Sequence, residues 1–307
     1  MSAPSRELLI VAPERWDEAC FSVPAVRALA GAGLGIGVLC QPNQKAFWTT
    51  VPSLTVHTPE TLTEEWQVAL IWEPGDLVKV VRKAGIHKRL GPAVGKLTKQ
   101  LSETLKDQPH VTEHRVQFYL KAVAEMGMPT AKPEFFHPVQ LAVSQRENSV
   151  LLVPDSDFGS SHEWSLQRWQ QVADELTESH AVTIGQIEGG RNLGRELAHH
   201  VGNQTTSSAV NLHEPEMDMI ASHGMVVAAD GSLPHIASHL GATCITLFGP
   251  NDASWKRPLG KRHHVVRRHV ECAPCFTFRC PLDERCQEEL EVSSVLKALR
   301  ALGATAA

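Results

Sequence analysis

The sequence predicts an α/β protein built from two doubly wound domains. Short apolar runs alternate with helical patterns along most of the chain. A proline-bearing stretch near the middle, residues 129–146, breaks that alternation once. The length of 307 residues exceeds one ordinary core and suits two domains of roughly 150 residues each. Strands that alternate with helices imply parallel sheets covered on both faces.

The first run, 7–12 (ELLIVA), reads as a buried parallel strand ending in a proline-containing turn. Residues 23–32 follow as a helix, with Val23, Val26 and Ala30 on one face and Pro24 suited to a first turn. Residues 35–40, 54–57 and 68–72 read as further strands, and 117–126 as a helix. Met128, Pro129 and Pro133 then interrupt the pattern, which divides the chain into domains at 1–140 and 141–307. The second series opens with a strand at 149–154. A helix over 165–176 follows, capped by Ser165, with Leu166, Trp169, Val172, Ala173 and Leu176 at helical spacing. Strands are expected at 182–184, 224–229 and 242–248, with a short helix at 233–240.

Composition narrows the function. Hydrophobic residues at 42% and charged residues at 21% suit a globular protein in water. A net charge of -5 gives a nucleic-acid partner no support. The opening residues show no basic segment followed by an apolar one, and no apolar run approaches the ~20 residues that span a bilayer. A cytoplasmic protein is expected. Of seven cysteines, Cys20, Cys40 and Cys244 lie in apolar segments and read as core.

Four segments carry chemistry. At 229–242 a strand ends in Asp230, Gly231 and Ser232, and a helix begins. Such a helix start offers unpaired N–H groups to an anion. Asp230 would repel a phosphate and better orients the loop or a ribose hydroxyl, while His235, one turn on, could point back. A plain cap and a core histidine explain the same spacing. In the loop at 153–165, Ser160 and Ser161 could donate to phosphate oxygens and His162 could add positive charge; a capped loop is the alternative. Asp17 and Glu18 stand before the first helix, where a carboxylate could take a proton from an attacking hydroxyl or simply favour the helix start. Cys272, Cys275, Cys280 and Cys286 could form a structural four-thiolate zinc or iron site, or remain thiols or local disulfides that pin a loop. The basic run from Lys256 to His264, with Arg267 and Arg268, could attract an anionic donor or acceptor, or be a solvated loop.

Over residues 8–299 these segments together resemble glycosyltransferase family 9, the heptosyltransferase family. The likeness is strongest at 228–250 (AADGSLPHIASHLG through LFGPND) and at 272–282 (CAPCFTFRCPL). It implies a GT-B fold, two Rossmann-like domains facing across a cleft. The N-terminal domain would take a lipopolysaccharide-core-like acceptor and the C-terminal domain a nucleotide sugar, typically ADP-heptose. The resemblance further implies inverting transfer without a catalytic metal and a carboxylate base in the first loop. It also implies work at the inner face of the inner membrane, with peripheral contact.

The sequence departs from the family pattern at three places. The family's acid stands six residues before the helix proline, which here is Glu18, with Asp17 where glycine is usual. Asp17 adds a like charge that disfavours ionising both when enclosed. The family's donor-phosphate lysine falls on His162, a weaker cation at neutral pH. The Asp-Thr-Gly turn becomes Asp230-Gly231-Ser232. Two other readings accompany the heptosyltransferase one: a transferase for a different nucleotide sugar, and a glycosyltransferase-like binding or assembly protein with little catalysis.

Overall fold

A computed structural model describes residues 6–63, 65–106, 113–187, 191–202, 206–210 and 215–305. The first five residues, read above for a secretory signal, lie outside them. The chain separates into two compact units, Met1–His137 and Pro138–Ala307.

In the first unit, six parallel strands are β1 (Leu8–Val11), β2 (Ile36–Leu39), β3 (Thr55–His57), β4 (Val68–Ile71), β5 (Lys88–Pro92) and β6 (Glu103–Leu105). Their order is β3-β2-β1-β4-β5-β6. The chain thus winds outward from β1 in one direction, returns, and winds outward in the other. The carboxyl ends of β1 and β4 sit at that reversal, the usual ligand position in an open parallel sheet. Val11 pairs with Ile71, so the two strands end side by side. Leu9, Val11, Leu39 and Ile71 join Val78 and Val81 of α3 (Asp76–Lys83) in one core cluster. The other helices are α1 (Trp16–Ala30), α2 (Lys45–Thr49) and α4 (Val116–Glu125).

Helix α1 starts seven residues earlier than the expected 23–32. Asp17 and Glu18 are therefore inside its first turn, and Pro24 is in its interior. The acidic pair lies at the positive end of the helix dipole and Arg27 at the negative end, which favours the longer helix. Proline removes one internal hydrogen bond. Burial of nearly every residue from Trp16 to Leu29 outweighs that loss.

The second unit repeats the plan with β7 (Arg146–Val153), β8 (Ala181–Ile187), β9 (Thr206–Val210), β10 (His223–Ala229), β11 (Thr243–Phe248) and β12 (His263–Arg267), all pairs parallel. The order β12-β11-β10-β7-β8-β9 is again a reversal about the first strand. Helices α5 (Leu166–Thr177), α6 (Leu193–Val201), α7 (Met217–Ala221), α8 (Ser232–His239), α9 (Ala253–Lys256), α10 (Arg285–Glu288) and α11 (Val292–Thr305) complete it. Trp169, Val172, Ala173 and Leu176 of α5 bury against Leu152, Val227, Leu247 and Val295. The apolar spacing anticipated that face. Ser165 stands at the N-cap of α5, but its hydroxyl makes no cap bond.

The N-terminal sheet brings β4 and β5 into close approach. A Cβ on Gly91 would lie 2.2 Å from the Ile71 carbonyl oxygen across the β4–β5 pair. Backbone cannot swing aside as a side chain can. Gly91→Ala is expected to cost about 1–3 kcal/mol, read as a lower urea midpoint. An unchanged midpoint would mean that β5 yields freely.

Candidate functional site

At the N-terminal reversal, Glu14 follows β1 and Glu73 follows β4. The Glu14 N–H donates to Glu73 Oε1 at 2.9 Å. Glu18 reaches α4 from the first turn of α1. Arg115 Nε donates to its Oε1 at 3.0 Å and Oε2 at 2.7 Å, and the Tyr119 hydroxyl donates to Oε2 at 2.6 Å. Arg115 caps the start of α4 and Tyr119 lies one turn on, so both share one helix face. The guanidinium also lies 4.0 Å over the Phe118 ring. Burial alone would lower the Arg115 pKa, but Glu18, Tyr119 and Glu73 leave it raised. Burial, followed by the Glu18 charge, pushes Tyr119 up. Tyr119 is thus a neutral donor to a fixed carboxylate.

Asp17 is fully buried, and Arg15 grips it through Nε at 3.1 Å and a terminal nitrogen at 3.0 Å. Each acid of the expected pair therefore has its own arginine. The two neighbouring acids are thus turned to different partners. Burial raises the Glu73 pKa, and the neighbouring Glu18 and Glu14 charges add to that rise. The Glu14 N–H and Arg115 work against it.

At the C-terminal reversal, the loop after β7 meets the turn after β10. Asp230 is completely buried. Its Oδ2 lies 3.1 Å from His162 Nδ1 and accepts from Asn251 Nδ2 at 2.7 Å. Its carbonyl accepts the Ser156 hydroxyl at 2.6 Å. His162, expected as a cation for phosphate, is itself buried and turned to this acid. Gly231 is the N-cap of α8. The Ser232 N–H donates to Asp157 Oδ1 at 2.8 Å, and its hydroxyl to Asp157 Oδ2. The expected anion site at the start of α8 thus already holds a carboxylate of this chain. His235 is buried one turn further along α8.

Ser161 is buried, with its hydroxyl donating to the Thr277 carbonyl and its N–H to that of Phe278. The half-buried Ser160 accepts Arg191 through its carbonyl at 3.0 Å. Gly159 stands at φ +103°, and a Cβ there would lie 2.4 Å from the Phe278 carbonyl oxygen. Only glycine suits that combination. Glu163 accepts the Ser156 and Arg191 N–H groups through Oε1, and Arg191 Nε lies 3.3 Å from Oε2.

The cysteine segment braces this loop. The Cys275 and Phe276 N–H groups both donate to the Pro250 carbonyl at 2.9 Å, and Phe276 meets Trp255 edge to face. All four cysteines are free thiols; Cys272 and Cys275 are exposed and Cys286 is buried. Burial pushes the Cys286 pKa up to about 11, and Cys275, Cys272 and Cys280 add to it. The four are neighbours, yet among the described residues no three His, Cys, Asp or Glu side chains are arranged to hold a metal ion. The arrangement does not fit the expected four-thiolate centre, and the segment's visible work is to clamp the loop at 159–161.

Comparison with known proteins gives the chain a family. The profile of glycosyltransferase family 9 (heptosyltransferase) matches residues 96–285, more than half of the chain. The chain belongs to glycosyltransferase family 9. A lipooligosaccharide heptosyltransferase 2 of Campylobacter jejuni subsp. jejuni serotype O:6 is 22% identical over 216 residues, which are 63% of this chain. The match spans 66% of that relative's length, just under two thirds. The ADP-heptose lps heptosyltransferase II of E. coli superposes with a TM-score of 0.77 at 17% identity, covering 96% of this chain and 98% of that one. The E. coli heptosyltransferase WaaC, solved with ADP, gives 0.73 at 12%, covering 96% and 99%. At such identities the likeness is one of fold, and the family 9 fold is GT-B with two Rossmann-like domains. No helix among the described residues is long and apolar enough to cross a membrane.

Sequence reasoning missed several residues of these sites. Arg115 and Tyr119 lie about a hundred positions from Glu18, and no local pattern links them. Glu73 had a signal, since it directly follows the strand pattern at 68–72. Asp157 stood unremarked in a loop that had been singled out. Lys256 belongs to the basic run read either as attracting an anion or as a solvated loop; it is buried, at 8% exposure.

Two outcomes follow for this family 9 chain. A carboxylic acid whose folded pKa is raised is costly to fold while ionised. That cost is absent below the ordinary value of 4.5 and grows as pH rises through the folded value. Glu73→Gln should therefore be more stable than the wild type at neutral pH, and the gain should vanish as pH falls towards 4.5. Denaturant midpoints across that range would show it, and a pH-independent difference would contradict it. Asp157→Ala strips the N–H and hydroxyl of Ser232 of their acceptor and should cost about 1 kcal/mol, seen in the same measurement. A neutral effect would mean that water replaces the carboxylate without loss.

Proposed function

We propose that this chain is an inverting glycosyltransferase that moves heptose from ADP-heptose to a lipopolysaccharide-core-like acceptor and needs no catalytic metal. The observation that carries this reading is Glu18. It is a carboxylate in the first turn of α1, beside the ligand-binding reversal of the N-terminal sheet, and Arg115 and Tyr119 fix its orientation. Family membership, the name of the Campylobacter relative and the ADP in the WaaC structure support the choice of donor.

In this mechanism the acceptor hydroxyl attacks the anomeric carbon of the sugar. A C–O bond forms on the face opposite the diphosphate, and the bond to the diphosphate breaks. The nucleoside diphosphate leaves with the electron pair, and the hydroxyl proton passes to Glu18. Asp17, closed off by Arg15, secures the turn that presents Glu18. On the donor side, Asp230, Gly231, Ser232 and His235 at α8, with Ser160, Ser161 and His162 in the facing loop, shape the nucleotide-sugar pocket. Asp230 and His162 act as a pair that holds the two loops together. A lipid-borne acceptor places the reaction at a membrane surface, the inner face of the inner membrane.

A second reading has an observation of its own. Asp157, from the loop after β7, holds the start of α8, and Asp230 holds His162, so both occupy groups that would otherwise meet phosphate, which favours a glycosyltransferase-like binding protein with little turnover. Calorimetric titration with ADP, UDP and GDP separates the readings, followed by transfer assays with Glu18→Gln. Selective ADP binding, with turnover lowered about 10²–10⁴-fold in the variant, is the expected result. Selective binding of UDP or GDP would change the donor. No binding would favour the non-catalytic reading, and unchanged turnover in the variant would remove Glu18 as base.

A further inference from the structure

We infer that the segment from Phe276 to Leu282 docks this chain on a lipid surface with anionic headgroups, an inference that takes its purpose from the lipid-borne acceptor proposed above and gives it a docking face. Among the described residues four large hydrophobic side chains are exposed: Leu34 at 37%, Phe276 at 46%, Phe278 at 64% and Leu282 at 67%. Leu34 stands alone in the N-terminal unit. The other three fall within seven positions, at most about 25 Å of chain even when fully extended. Single exposed apolar residues are ordinary, whereas a cluster of them marks a contact surface.

The cluster is held in place by its backbone. The Cys275 and Phe276 N–H groups donate to the Pro250 carbonyl, and the Thr277 and Phe278 carbonyls receive the hydroxyl and N–H of Ser161. The Phe276 ring leans on Trp255 of α9, with centroids 5.4 Å apart. The segment is thus fixed from beneath while the Phe278 and Leu282 side chains remain in water.

The surrounding charge selects the occupant. Glu271 and Asp283 flank the cluster, and Arg285 meets both, at 3.4 and 2.8 Å. Arg191 meets Glu284 at 2.9 Å. β11 and β12 end side by side, Phe248 beside Arg267, so Arg267 and Arg268 emerge at the sheet end from which Pro250 holds the segment. They lie 4.0 Å from Asp252 and 3.0 Å from Glu289. Each of these acids therefore has an arginine. Arg279, exposed between Phe278 and Cys280, has no hydrogen-bond or ion-pair partner among the described residues. It leaves positive charge in the middle of the apolar cluster. That composition suits a bilayer interface, where rings and leucine enter the acyl boundary and a guanidinium stays with headgroup phosphates. A second copy of this chain is a poorer occupant. A stable interface covers about 800 Å² on each partner, and two partly exposed rings of roughly 150–250 Å² each with one leucine offer well under that.

The test is co-sedimentation of the full chain with vesicles of phosphatidylcholine alone and with vesicles containing phosphatidylglycerol, neither holding a sugar acceptor. The variants are Phe278→Ser with Leu282→Ser, Arg279→Gln, and Leu34→Ser as the control. All four side chains are exposed, and a denaturant midpoint for each variant checks that it folds. Wild type should partition onto the phosphatidylglycerol vesicles. Partition should fall about tenfold or more in the double variant and about fivefold in Arg279→Gln, and should not change in Leu34→Ser. No partition, equal partition onto both vesicle types, or undiminished partition of the double variant would overturn the inference. So would a lipid-free oligomer that dissociates in the double variant, because the occupant would then be a second copy. Vesicle binding by a wild type that binds no ADP would support the docking face and count against the transferase reading. ADP binding without vesicle binding would overturn the docking face alone.

Discussion

The reversal of strand order in each sheet is the constraint on which both sites depend. A parallel strand must hand the chain to a crossover, and two crossovers leaving neighbouring strands in opposite directions leave their end loops splayed. β1 and β4 end together in one unit, and β7 and β10 lie adjacent in the other. Polar side chains from those loops then gather beyond the carboxyl ends of the central strands, several of them buried. Buried charge there must be paired, because an uncompensated carboxylate costs several kcal/mol. The pairs are Asp17 with Arg15, Glu18 with Arg115, Asp230 with His162 and Glu163 with Arg191.

The two units meet that demand in different ways. In the N-terminal unit the partners are arginines, which stay charged and fix the orientation of both acids. Glu73 is the exception: half-buried and surrounded by Glu14 and Glu18, it is the carboxylate whose ionisation the fold penalises most plainly. In the C-terminal unit the loops are tied chiefly by neutral donors. The Ser156 hydroxyl reaches Asp230, the Asn251 amide reaches the same acid, and backbone carbonyls of the cysteine segment receive Ser161. Such a network positions groups accurately but contributes little net positive charge.

Much of the architecture was legible because parallel strands buried on both faces leave unbroken apolar runs. The runs at 7–12, 68–72 and 242–248 became β1, β4 and β11 for that reason. β6, three residues of mixed polarity, gave no such signal. The start of α1 was misplaced because Pro24 reads locally as a first-turn residue, whereas burial of the whole helix decides the matter. The candidate acids and the loop turns could be read from the residues that follow each strand. Their partners could not. Arg115 lies 97 positions from Glu18, and Asp157 lies 75 from Ser232. Only tertiary structure brings those groups together.

Asp157 has the widest consequence for the donor side. A helix start attracts anions whether they come from a ligand or from the chain itself. By placing a carboxylate on Ser232, this sequence satisfies the helix start internally. Under the proposed reading a diphosphate at this place would have to displace Asp157 or lie beside it against repulsion, so the balance of charge at the start of α8 is set by the loop after β7 and not by the helix alone.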